Sequence, residues 1–195
     1  MNYSIEQLKH MIKNEKRLPP DFDQWYLIIN KKKGTTIAYL AAEYGCLPPD
    51  FDRWYLRDKN GRTVAYETAG NGYLPPNFSQ WELANKYKWT IAHIAARNGC
   101  LPPEFTQWNL MDIEGWTVAH VAARCNNLPS DFNQWDLADK YGYTVAHEAA
   151  RNGYLPSNFN KWELTDDEGR TVAQIAYRYN HLPSNFDRWD LIKKR

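Results

Sequence analysis

One phrase of ten residues, Leu-Pro-(Pro/Ser)-x-Phe-x-x-Trp-x-Leu, occurs seven times in this chain and sets its architecture. Its leading leucines are Leu18, Leu47, Leu74, Leu101, Leu128, Leu155 and Leu182, so the first step is 29 residues and the next five are 27. All eleven prolines and all seven phenylalanines fall inside it. A fixed period of this size marks an array of supersecondary units, each unable to bury its apolar face without a neighbour. Such a stack presents a long surface for a partner to read and gives no reason to concentrate catalytic groups.

The phrase starts at Leu18 and its last copy ends at Leu191, which leaves no room for a second domain. The sequence reads as one continuous domain: a capping helix over 1–17, an array of about six units over 18–181, and a C-terminal cap over 182–195. A hydrophobic content of 43% with nine tryptophans excludes a disordered chain. The net charge of +1, with both signs mixed, gives no global attraction to nucleic acid or to an anionic membrane. No apolar run approaches the ~18 residues of a membrane span. Met1 to Arg17 is too polar for a secretory signal.

Cys46 and Cys100 hold the same place two repeats apart. Stacked repeats would separate them by about 20 Å at helix-packing distances, whereas a disulfide needs Cα atoms roughly 4.4–6.8 Å apart. Cys125 is one position out of register, and the odd count leaves a free thiol. This usage points to a reducing, cytoplasmic location.

Within one unit, Gly115 to Arg124 reads as a turn followed by a short helix. Thr117 suits the N-cap, because its hydroxyl can accept an orphan backbone N–H. The alanines favour helix and allow close helix approach. The helix should stop near Asn126, a place held elsewhere by Gly45, Gly72, Gly99, Gly153 and Asn180, the residue types that tolerate a left-handed C′ conformation. In the phrase that follows, Leu128, Phe132 and Trp135 sit at i, i+4 and i+7, which predicts a second, very short helix with proline in its first turn. Asp139-Lys140-Tyr141-Gly142 then predicts a type I turn. The same turn recurs from Asp58, Asp112 and Asp166, whereas Asn85 to Lys88 lacks the glycine. The first copy carries two extra residues between Ile28 and Gly34.

Gly-x-Thr-Val-Ala-His-x-Ala-Ala-Arg-Asn-Gly, as from Gly142 to Gly153, resembles the ankyrin repeat's Gly-x-Thr-Pro-Leu-His-x-Ala-Ala-x-x-Gly. The likeness covers six copies, starting at Gly34, Gly61, Lys88, Gly115, Gly142 and Gly169. The resemblance implies an all-α repeat protein, an α-solenoid of short ankyrin-like helix-turn-helix units joined by β-turn or hairpin-like loops. It also implies a protein-binding scaffold. The chain departs from the family after the glycine: its unit has 27 residues, six short of the family's, and the Leu-Pro-Pro-x-Phe-x-x-Trp phrase replaces the leucine-rich second helix.

The ends read as caps. Gln7 to Lys13 aligns with Thr-Val-Ala-His-x-Ala-Ala, and Lys9 and Lys13 stand where the array has alanine. A charge there is tolerated where no preceding repeat packs. Ser4-Ile5-Glu6-Gln7 matches a capping box. Tyr177 replaces a helix alanine in the last unit, and Asp190 to Arg195 closes the chain.

Leu, Phe and Trp of the phrase are accounted for by a continuous core, so function should sit where the repeats differ. The residue before the capping Thr is Thr35, Arg62, Trp89, Trp116, Tyr143 and Arg170 in turn. In an ankyrin-like array this is a hairpin tip. The residue after the His register is Leu40, Glu67, Ile94, Val121, Glu148 and Ile175, expected to face the concave side. The turns add Tyr87 and Tyr141. Trp89, Trp116, Tyr143, Tyr87, Tyr141, Ile94 and Val121 thus form one candidate surface with the aromatic, apolar composition of a binding hot spot. The competing reading packs these aromatics sideways on neighbouring hairpins. Arg97, Arg124 and Arg151 would flank the surface, or serve as last-turn cations favouring the helix dipole.

His93, His120 and His147 occupy one register of successive repeats, roughly 8–10 Å apart if repeats stack like packed helices. One zinc ion with ligand bonds of about 2.0–2.3 Å cannot bridge them. No nucleophile elbow or phosphate loop stands out, and no cofactor or metal is expected. The sequence therefore predicts a monomeric protein-interaction scaffold that is neither an enzyme nor a membrane protein and does not suit nucleic acid. It would be a bacterial, phage or symbiont effector or inhibitor, acting in the host cytosol if delivered there. The alternative class is a repeat protein that self-assembles through its ends.

Overall fold

The computed structural model describes residues 3–192, in two compact units divided between Asn85 and Lys86. Residues 1–2 and 193–195 of the two predicted caps lie outside the described residues.

The first unit contains α1 (Ile5–His10), which continues as a π-helical turn over Met11–Glu15, then β1 (Ile28–Asn30), β2 (Thr35–Thr36), α2 (Ile37–Tyr44) and α3 (Val64–Gly70). Ser4 caps α1: its hydroxyl accepts from the Gln7 N–H, and the Gln7 side chain accepts from the Ser4 N–H. The helix begins one turn before the place suggested by aligning Gln7 with threonine, because Ser4 and Gln7 close this box between themselves. Leu8 and Ile12, four apart, are fully buried. The two extra residues of the first copy complete a small antiparallel hairpin, β1 with β2, closed by Gly34 N–H to Asn30 O at 2.8 Å. Outside the helices the described residues form turns and loops, this two-stranded sheet and isolated bridges such as Arg57 with Thr63.

The second unit contains α4 (Ile91–Asn98), α5 (Val118–Arg124), α6 (Val145–Asn152) and α7 (Val172–Arg178), packed in sequence, each on the next. Seven or eight residues are far too few for a helix to persist alone in water, where about 12–15 are marginal. Burial holds these helices: every residue from Val118 to Ala123 is buried, and the alanines let the helices approach closely. The result is a repeat-like helical arrangement with regularly spaced Phe and Trp.

The Leu-Pro-Pro-x-Phe-x-x-Trp phrase is not a second helix, which corrects the helix-turn-helix reading. It is two successive turns: Phe132 N–H bonds Pro129 O at 3.0 Å, and Leu137 N–H bonds Gln134 O at 3.3 Å. The reason lies in the next helix. Its first four N–H groups have no intrahelical partner in the first turn. In α5 the Val118 and Ala119 N–H groups bond Leu110 O and Trp108 O, at 3.0 and 3.2 Å. The His120 N–H bonds Thr117 Oγ1 at 3.2 Å, and the Val121 N–H bonds Thr117 O at 3.2 Å. The same pair of carbonyls serves α6 (Leu137, Trp135) and α7 (Leu164, Trp162). Carbonyls of the phrase turned to the next helix cannot also run along a helix of their own.

The phrase instead builds an aromatic ladder. In the second unit, Phe105, Trp108, Phe132, Trp135, Phe159, Trp162, Phe186 and Trp189 alternate edge to face, with centroids 5.1–5.5 Å apart. The first unit repeats the pattern from Phe22 to Trp81 at 4.8–5.2 Å. Edge-to-face pairs at these distances add about 0.5–1.5 kcal/mol each beyond area burial.

Helix starts and stops follow the sequence. Thr36, Thr63, Thr90, Thr117, Thr144 and Thr171 are N-caps. Asn126 and Asn180 adopt positive φ like the glycines of that register. Lys88 also takes φ 57, so the turn that lacks glycine keeps the left-handed conformation at a cost.

Candidate functional site

In the second unit the turns before α5, α6 and α7 share one construction. Asp139 Oδ1 accepts from the N–H groups of Tyr141 and Tyr143, at 2.8 and 3.0 Å, and Gly142 N–H bonds Asp139 O at 3.2 Å. Asp112 and Asp166 do the same in their turns. Successive turns are tied by backbone bonds: Ile113 N–H to Tyr87 O at 3.1 Å and Asp167 N–H to Tyr141 O at 3.0 Å. An ion pair between Lys140 and Glu114 adds a side-chain link.

The variable residue beside each cap is fixed from two directions. Trp89, Trp116 and Tyr143 lay their rings over the histidine of their own repeat, with centroids 4.8, 5.7 and 5.1 Å from His93, His120 and His147. In Trp116, Tyr143 and Arg170 the backbone carbonyl at this position bonds the histidine of the preceding repeat. His93 Nε2 lies 3.0 Å from Trp116 O, His120 Nε2 2.8 Å from Tyr143 O, and His147 Nε2 3.0 Å from Arg170 O. A carbonyl only accepts, so Nε2 carries the proton. Nδ1 then accepts from the backbone N–H and hydroxyl of the capping threonine, for His120 at 3.3 and 2.8 Å. Burial pushes all three imidazoles below their ordinary pKa, against the upward pull of those carbonyls. Both nitrogens of each ring are engaged, Nδ1 within its own repeat and Nε2 in the tie to the next.

Trp89, Trp116 and Tyr143 are half-buried, each presenting part of its ring to solvent. Tyr87 and Tyr141 are 53% and 60% exposed, and each carries a lysine over its ring, Lys86 at 4.9 Å and Lys140 at 5.0 Å. Arg97, Arg124 and Arg151 are exposed at the helix C-termini; Arg124 reaches back over Trp116 at 5.7 Å, and Arg151 over Tyr179 at 5.5 Å. Ile94 and Val121 do not belong to the exposed surface. They are 5% and 4% exposed, and Val121 lines the floor of a groove between the turns.

Two grooves run between these turns. One, of about 690 Å³, is lined by Trp89, Arg97, Trp116 and Arg124 among others. The next, of about 420 Å³, is lined by Trp116, Tyr143, Arg151, Arg178, Tyr179 and Glu148. Burial pushes the Tyr143 phenol up, and the nearby Glu148 adds to it; its hydroxyl donates to His147 O at 3.2 Å. Glu148 was not legible as a site residue, although a carboxylate in a register held by Ile94, Val121 and Ile175 in the other helices of the second unit was the available signal.

Among the described residues no group of three His, Cys, Asp or Glu is arranged to hold a metal ion, and no helix is long and apolar enough to cross a membrane. No protein-family model matches this sequence, and comparison with curated proteins returns no significant match.

Proposed function

We propose that this chain is a short ankyrin-like repeat protein, an α-solenoid that binds a protein partner through the aromatic tips of its second unit. The observation that carries this reading is the row of Trp89, Trp116 and Tyr143, only partly buried at successive turns and flanked by the exposed Tyr87 and Tyr141. Trp89, Trp116 and Tyr143 meet the histidines with one ring face, and Tyr87 and Tyr141 are more than half exposed. Aromatic side chains beside arginine, with a polar rim, have the composition in which binding energy concentrates. A monomeric binder in the cytoplasm, acting as a bacterial, phage or symbiont effector or inhibitor of its target, is the form this reading takes. Capture of partners from a lysate on immobilised protein, repeated with Trp89, Trp116 and Tyr143 all changed to alanine, tests it. Bound species lost in the variant support the surface, and an unchanged set of partners removes it.

A second reading, end-to-end self-assembly, is favoured by Tyr177 and Trp189, which pack edge to face at 6.5 Å yet remain 57% and 50% exposed. Light scattering separates the two: open-ended growth with concentration supports assembly, and a constant monomer mass supports the binder.

A further inference from the structure

The glutamate register gives two contrasting cases. Glu67 Oε2, in the first unit, accepts from the Tyr39 hydroxyl at 2.7 Å and lies 4.0 Å from Arg62 Nη1, while its Oε1 accepts from Asn71 at 3.4 Å. Glu148, in the second, is 2% exposed; its Oε1 accepts from Asn152 Nδ2 at 3.1 Å and lies 4.0 Å from Arg124 Nε. Its Oε2 is buried and has no hydrogen-bond partner. A buried acceptor left unmatched costs free energy that an aliphatic residue in the same slot avoids. Ile94, Val121 and Ile175 fill that slot in the neighbouring helices and are buried without such a cost. A repeat rule broken at one position without internal compensation marks a place where function is the compensation.

The surroundings define what would match it. Glu148 lines the groove walled by Trp116, Tyr143 and Tyr179. The chain's own Arg124 shows the chemistry that suits this corner, its guanidinium lying over the Trp116 ring and beside Glu148 Oε1. Burial pushes the Glu148 carboxyl up, while Asn152, Arg151 and Arg124 pull it back and Asp139 opposes them. Arg178 faces the same groove from α7. Arg151 also lines the groove, exposed and with its guanidinium over the Tyr179 ring, and surface rotamers of this kind exchange on fast timescales.

We propose that this groove receives one arginine side chain of the partner, its guanidinium held beside Tyr143 and Trp116 and donating to Glu148 Oε2. A planar, weakly hydrated guanidinium stacks on aromatic faces and presents its donors in a fixed fork, which a lysine ammonium cannot do. The inference rests on the partner-binding reading and deepens it by naming the anchor.

The test uses the full chain and small probes. N-acetylarginine amide is titrated while the Trp116 indole and Tyr143 ring signals are followed by NMR, with N-acetylcitrulline amide as the neutral isostere and N-acetyllysine amide as the second cation. The arginine probe should shift both signals and bind about tenfold or more tightly than citrulline, the factor of one charge-assisted hydrogen bond. Glu148→Gln, which keeps the shape, should erase that preference. Glu148→Ile, with the residue of the neighbouring registers, should abolish binding while the helices stay folded by circular dichroism. Absence of binding, equal binding of arginine and citrulline, a lysine probe as tight as arginine, or a preference surviving in Glu148→Gln overturns the proposal. These outcomes are independent of partner capture: loss of capture in the tip variants with no arginine preference keeps the surface and removes the arginine slot.

Discussion

His120 Nε2 donates to the backbone carbonyl of Tyr143, 2.8 Å away and 23 residues on. The bond fastens the turn of one repeat to the helix of the repeat before it, and the residue so fastened is the one whose ring rests on His147. The surface that varies between repeats is therefore built on the bond that does not.

Burial of the histidine rings makes stability depend on pH. The unfolded chain protonates its histidines near the ordinary value of 6.5, whereas burial holds His93, His120 and His147 lower in the fold. Between the two values the unfolded state binds more protons, so stability falls as pH drops below about 6.5 and levels off below the folded values. Above that pH the three rings add no pH dependence. Glu148 acts in the opposite sense: its raised pKa makes the folded state the better proton binder above 4.5, so stability falls as pH rises through that window. Urea denaturation of Glu148→Gln at pH 7.5 and 5.5 isolates the histidines, and a midpoint that does not fall at the lower pH contradicts their neutral burial.

His120→Gln tests the tie itself. Gln174 already fills the register in α7, where its side chain caps Thr171 N–H at 3.1 Å. The variant should fold, keep its cap and lose about 1–2 kcal/mol from the missing donor to Tyr143 O. It should also show a shallower decline in stability between pH 7.5 and 5.5. A variant as stable as the parent, with the same pH profile, would falsify the histidine tie.

Much of this was legible in single residues. Thr117 as N-cap, Asn126 in the left-handed conformation and Asp139 as the start of a turn each depend on chemistry within a few positions of themselves. The helix expected over Leu128 to Trp135 was not legible, because Leu, Phe and Trp at i, i+4 and i+7 also suit two turns. What decided between them was the demand of Val145 and Ala146 for acceptors, which Leu137 and Trp135 meet from outside α6. Tyr87 and Tyr141 are exposed as read, and the turn that carries Tyr141 is closed by its own Asp139.

The aromatic ladder should respond unequally along its length. Trp108 is 7% exposed and touches Phe105 and Phe132, so Trp108→Ala should cost roughly 3–5 kcal/mol. Trp189 is 50% exposed, with Phe186 and Tyr177 as ring neighbours, so Trp189→Ala should cost well under half of that. Denaturation midpoints on the two variants measure the difference, and equal losses contradict the packing described.

Two glycines separate conformation from space. Gly115 has φ 81, and a Cβ there would lie 2.7 Å from the Lys140 backbone nitrogen. Gly169 has φ 70 and open space around it. Gly169→Ala should cost about 1–2 kcal/mol, the strain of a left-handed L-residue. Gly115→Ala should cost more, because the next turn must also move. Comparable melting temperatures for the two would show that adjacent turns are not in close contact.

The tip aromatics carry the prediction that joins stability to function. Trp116 is half-buried over His120 and beneath Arg124, so Trp116→Ala should lower stability by about 1–2 kcal/mol, more than a bare surface change. Tyr87→Ala and Tyr141→Ala, at exposed positions, should stay within about 0.5 kcal/mol of the parent. If the tips anchor a partner, each of Trp89, Trp116 and Tyr143 changed to alanine should weaken binding by about 2 kcal/mol or more, roughly thirtyfold in Kd. Arg97, Arg124 and Arg151 changed together should reduce the salt dependence of the association rate more than the affinity. Melting temperature and binding are to be read on the same preparations. Weakened binding that merely tracks lost stability across the series would assign the aromatics to packing alone; binding lost in Tyr87→Ala or Tyr141→Ala at unchanged stability would place the contact at the tips directly.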